Sequence, residues 1–240
     1  MEYRSPGQSG RIGQRRPSRS HKIPSGIFGG NRSVKFGLIA ILACVLIIQF
    51  TNRKVDKPLD GPIDDVFRRD PSGLLIVYGT GGENTDALRD YAHKVATLLG
   101  KSLKHDILVY PDREVDSGLA GDYSLLLYGP VEDNRVTERI RKHFPFQFSA
   151  DTLRAGGKTF TGPDWRLVFA VPNPRNLKRY VLIYTGPSDS SIVGINLLGD
   201  PHFVRHDTTD FVLTKGDRVV ESGFFDKDDP EHWTLPKVLR

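Results

Sequence analysis

Four short apolar runs constrain this chain most: LLIVY from Leu74, LLLY from Leu125, RLVFAV from Arg166 and YVLIY from Tyr180. Consecutive apolar residues in a strand put greasy side chains on both faces of its sheet, so each run needs cover on both sides. Each run also stops at Gly, Pro, Thr or Asn, the residues of tight turns. ILVY from Ile107 has the same character. One cover is a predicted amphipathic helix over residues 83–99, which sets Leu88, Tyr91, Ala92, Val95, Leu98 and Leu99 on one side. Further helices are expected near residues 134–143 and over 190–198. The pattern predicts an α/β fold: a three-layer, mostly parallel open sheet of the Rossmann or flavodoxin-like kind. Two β-hairpins are appended, one around Gly156-Gly157 within residues 146–161 and one around Lys215-Gly216-Asp217.

Ahead of these runs lies FGLIAILACVLIIQF, residues 36–50. As a helix it reaches about 22 Å toward a hydrocarbon core of roughly 30 Å, and Val34 and Thr51 extend it. Eight Lys or Arg against the single acid Glu2 precede it, which predicts a cytoplasmic N-terminus. Thr51, Asn52, Arg53 and Lys54 follow, with no small-x-small cleavage site. The expected organisation is a disordered basic cytoplasmic arm (1–33), a transmembrane signal anchor (34–52), a linker (53–70), an extracytoplasmic α/β domain (71–235) and a tail (236–240). This describes a single-pass membrane protein of a bacterial envelope. The alternative for Ile41-Leu42-Ala43-Cys44 is a lipoprotein-like box, with lipid on Cys44.

Residues 55–240 hold 24 Lys or Arg and 28 Asp or Glu, a balance of −4. The basic pI therefore belongs to the arm, and no nucleic-acid partner is expected of the domain. Cys44 is the sole cysteine, so the domain is held by packing without disulfides.

If the apolar strands are parallel, their terminal loops share one rim, where open α/β sheets hold ligands. The candidate binding residues are Thr80, Gly81, Gly82, Asn134, Asn173 and Thr185. Gly81-Gly82 ahead of a helix offers unhindered N–H groups suited to a small anionic ligand. The structural alternatives are helix caps at Thr80 and Asn134 and an ordinary turn at Asn173. The loop lacks the Gly-Lys-Ser/Thr of a P-loop and the Gly-x-Gly-x-x-Gly dinucleotide spacing, and no cofactor is expected. His202 and His206, four apart with Asp207 and Asp210 following, are the alternative metal ligands. Pro201 and an extended setting oppose a shared helix face. No Gly-x-Ser-x-Gly occurs, so no catalytic residue is assigned.

Several segments in order carry a resemblance: GPIDDVF from Gly61, LIVYGT from Leu75, LYG from Leu127 with Asn134, PNP from Pro172, RYV from Arg179, and SGFFD from Ser222 ahead of Trp233. Together they resemble an accessory α/β domain found attached to bacterial alpha/beta-hydrolase-type proteins of the prolyl oligopeptidase and esterase kind. The resemblance implies a module that accompanies a separate catalytic domain, absent here, and hence a protein partner of hydrolase type. The expected function is binding of a ligand or partner at the rim without autonomous catalysis. The alternatives are a hydrolase or hydrolase-accessory subunit using the same rim, and a purely structural domain whose rim is filled by its own side chains.

Overall fold

The computed structural model of the protein describes residues 58–193 and 208–236. Strands β1 (Leu74–Tyr78), β2 (Leu108–Pro111), β3 (Ser124–Tyr128), β7 (Trp165–Asn173) and β8 (Asn176–Thr185) grow from the apolar runs. With β9 (Phe211–Lys215) and β10 (Arg218–Gly223) they form a seven-stranded sheet ordered β10-β9-β7-β8-β3-β1-β2. A separate antiparallel sheet holds β4 (Gln147–Ser149), β5 (Thr152–Ala155) and β6 (Lys158–Thr161).

The main sheet is mixed, which corrects the expected mostly parallel one. Strands β2, β1, β3 and β8 are parallel neighbours, whereas β8-β7, β7-β9 and β9-β10 are antiparallel pairs. The cause is the connection between β7 and β8. Only Pro174 and Arg175 separate them, and two residues close a hairpin but cannot make the crossover that parallel pairing needs. The hairpin around Gly216 continues the antiparallel half.

The described α-helices are α1 (Ile63–Arg69), α2 (Thr85–Leu103), α3 (Ser117–Asp122), α4 (Arg135–Ile140) and α5 (Asp189–Val193), with single 3-10 turns at Pro71–Gly73, Asp112–Glu114 and Arg141–His143. Tyr91 of α2 meets Tyr128 edge-on, and Tyr128 stacks on Tyr184 at 4.4 Å, so α2 covers the face to which those tyrosines point. Strand alternation turns Ile183 and its partner Phe169 to the opposite face. There Phe144, Phe146 and Phe148, at and before β4, pack around Phe169, binding the small sheet to the large one.

Residues 53–70, expected as a linker, carry α1, whose Ile63 and Val66 are buried. The Tyr180 hydroxyl accepts from Gly61 N at 3.0 Å and donates to Asp65 at 2.7 Å, tying this segment to β8. Two prolines and few apolar residues hid a helix that is stable only because the sheet receives its two buried side chains.

Among the described residues no helix is long and apolar enough to cross a membrane. The longest, the 19-residue α2, is amphipathic, and charged Asp86, Arg89, Asp90, Lys94 and Lys101 interrupt it. The expected transmembrane signal anchor over 34–52, with Cys44, lies outside the described residues. The membrane, single-pass and envelope expectations rest on that span and have no support among the described residues.

Candidate functional site

Parallel register places Tyr78, Pro111, Tyr128 and Tyr184 side by side at the strand ends. The loops after them form the rim, and the chain reverses its direction across the sheet between β1 and β3. That switch point is where an open α/β sheet has its ligand crevice.

Here the crevice is closed by backbone. Gly79 N donates to Tyr128 O at 2.8 Å, extending the ladder, and Gly81 N donates to Asp133 O at 2.9 Å, joining the two loops. A Cβ at Gly79 or at Gly81 would stand 2.9 Å from the Asp133 carbonyl oxygen. These glycines serve close packing of loop on loop. The N–H of Gly81, expected to receive an anion, is already committed.

Asp112, fully buried at the end of β2, braces the same rim. One carboxylate oxygen accepts from Thr80 Oγ1 at 2.6 Å and the other from Arg135 N at 2.7 Å. Thr80 is thus a brace, not the cap of α2 that was the structural alternative. Asn134 does cap its helix: Oδ1 accepts from the Val136 and Thr137 N–H groups, and Nδ2 donates to Tyr128 O at 3.1 Å. Asp112 was not singled out in the sequence. Its only signal was an acid directly following an apolar strand.

Gly82 makes room for Asp189, since a Cβ there would lie 2.1 Å from Asp189 Oδ2. That oxygen accepts from Asn84 N at 3.0 Å, while Asn84 Nδ2 donates to Ser190 Oγ at 2.9 Å, so the starts of α2 and α5 are hooked together. Asp189 is 3% exposed and its Oδ1 has no hydrogen-bond partner among the described residues. Burial pushes its carboxyl above the ordinary range, and the nearby Asp133 and Glu83 carboxylates add to this against the Asn84 bond. Asp133 is itself raised, first by burial and then by Glu132 and Glu83. The glycine loop therefore stands in a field of carboxylates, which repels an anion.

Thr185 is fully buried at the end of β8, and its hydroxyl has no partner among the described residues. Ser188 Oγ accepts from Ser191 N at 3.2 Å in the manner of a helix N-cap, so this hydroxyl is occupied at the first turn of α5.

Asn173 is not at this rim. Because β7 runs against β8, its end lies at the opposite border of the sheet. There Asn173 Nδ2 donates to Ala120 O at 2.7 Å and Tyr123 O at 3.3 Å, while Oδ1 accepts from Arg175 N at 2.9 Å. It organises the hairpin turn and fastens α3 to it. His202 and His206 lie outside the described residues, and among the described ones no group of three or more His, Cys, Asp or Glu could hold a metal ion. The described histidines that do meet are half-buried His143, at the end of a 3-10 turn, and exposed His232, with ring nitrogens 3.1 Å apart.

No protein-family model matches this chain, and no curated protein matches it in sequence.

Proposed function

We propose that the α/β domain is a non-catalytic module that binds a protein partner, with its strand-end rim acting as a rigid brace. The observation that carries this reading is the Gly81 N to Asp133 O bond across the switch point. It fills the crevice in which an enzyme of this architecture would hold its substrate. The commitment of Thr80 to Asp112 and of Asn134 to α4 supports the same reading, because both side chains are held by the domain's own groups. The resemblance to domains that accompany hydrolases supports a partner that brings its own chemistry.

The full chain, incubated with p-nitrophenyl acetate, p-nitrophenyl butyrate and a chromogenic dipeptide anilide, is expected to release product no faster than buffer does. Turnover that falls in Ser188→Ala or Asp189→Asn would refute the module and restore a hydrolase at the rim.

A further inference from the structure

The domain is acidic on balance, yet one groove collects cations. It runs between the C-terminal half of α2 and β2, encloses about 870 Å³, and is bordered by His93, Lys101, Lys104 and His105. Its floor includes buried Ala96 and Ile107. Asp106 is the only acid lining it. All four cationic or protonatable side chains are exposed, and none is in an ion pair among the described residues.

Among the described residues, strand β2 is the edge of the main sheet and pairs with β1 alone. In a parallel pair half of an edge strand's N–H and C=O groups point away from the sheet, forming a ready template for another extended chain. Leu108, at the start of β2, leaves 45% of its surface in solvent. Pairing groups, an apolar contact and unneutralised cations thus lie along one line.

We propose that this groove docks an acidic, extended segment of a protein partner, which adds a strand to the free edge of β2 while its carboxylates meet Lys101 and Lys104. The proposal rests on the reading of the domain as a partner-binding module and names the surface and the chemistry of what it takes. The chain's own first 57 residues carry 11 Lys or Arg against 2 acids, so like charge sets them against this groove. The partner segment comes from another protein. Backbone pairing supplies affinity, and the lysines select sign and speed encounter.

The probe is a fluorescein-labelled octapeptide alternating Glu and Val, titrated against the full chain by anisotropy, with a Lys/Val octapeptide as control. The Glu/Val peptide is expected to bind, to weaken as salt is raised, and to protect from hydrogen exchange those amides of residues 108–110 that point away from β1. Lys101→Glu with Lys104→Glu is expected to weaken binding about tenfold or more, and to lower the urea midpoint modestly because both positions lie at the C-terminal end of α2, where the helix dipole favours cations. If that pair perturbs folding, Lys101→Gln with Lys104→Gln serves, with a smaller loss expected. Equal binding of both peptides, or an unchanged affinity in the lysine variants, overturns the site. Full competition by tripolyphosphate without protection of 108–110 overturns the strand in favour of a small-anion site. Ester turnover bears on the module reading alone, so the two failures are distinguishable.

Discussion

Removing the Asp112 carboxylate should loosen the rim more than any other single truncation there. In Asp112→Ala, Arg135 N loses an acceptor at 2.7 Å and Thr80 Oγ1 one at 2.6 Å, both supplied by a buried carboxylate. Hydrogen bonds to a charged group contribute about 1.5–3 kcal/mol each, and a buried donor left unpaired costs about 1–3 kcal/mol. Thr80 is only half-buried, so water restores part of its share, and the net loss is set at about 3 kcal/mol. With a urea slope of about 2 kcal/mol/M, the unfolding midpoint should fall by roughly 1.5 M at unchanged slope. A cycle with Thr80→Val isolates the side-chain pair and should return a coupling of about 1 kcal/mol. A midpoint shift under about 0.5 M, or strictly additive variants, would show that the brace does not hold the rim and remove the argument that the crevice is closed by design.

Four further outcomes follow from the described contacts. Gly82→Ala should destabilise by about 1–3 kcal/mol, because its Cβ would force Asp189 off Asn84 N. Gly121→Ala, within α3 and with its nearest neighbour Arg175 at an ordinary 3.8 Å, should be neutral or slightly stabilising in the same urea assay. Asp189 titrates above its unfolded value, so the folded state holds the extra proton and stability falls as pH rises from the ordinary carboxylate pKa through the raised one. Urea midpoints from pH 4 to 7 should therefore decline less in Asp189→Asn than in the parent, and parallel curves would contradict the assignment. Burial first, then His232 and Lys142, lowers His143 below the usual imidazole range, with Glu231 opposing and Arg175 adding to it. Its contribution to stability is present above the unfolded imidazole pKa and is lost as pH falls toward the lowered one. An NMR titration should place His143 below 6.5 in the parent and nearer to 6.5 in His232→Ala. No movement would mean that the 3.1 Å pair does not persist in solution.

The partner reading and the brace belong together: a rim locked by its own polar groups leaves affinity to be found at an edge. Strand β2 is such an edge, and its short length and terminal Pro111 limit promiscuous pairing. Charge then decides which chains gain from it. On the proposal made above, the groove of Lys101 and Lys104 selects acidic ones.

Much of the element list was legible beforehand because it depends on contacts close along the chain. Residues 74–78 form β1 as expected, 83–99 and 134–143 contain most of α2 and α4, and Gly156-Gly157 turns β5 into β6. The capping role of Asn134 was readable too, since its partners are two and three residues away. Asp112 was not, because Thr80 and Arg135 reach it from 32 and 23 residues away. Helix α1 was missed for the same reason: its stability comes from the sheet.

By itself the sequence determined the approximate places of the main strands, the hairpin turns and the long amphipathic helix, and that the sheet needs cover on both faces, because periodicity and turn chemistry act over a few residues. Only the tertiary structure decided strand direction, and with it which loops meet. The two-residue β7–β8 turn sends Asn173 to the far border and leaves Thr80, Gly81, Asn134 and Thr185 at the rim. The physical reason is that direction and adjacency follow from how apolar faces are shared among distant segments, and a run such as LLIVY is equally apolar whichever neighbour it pairs with.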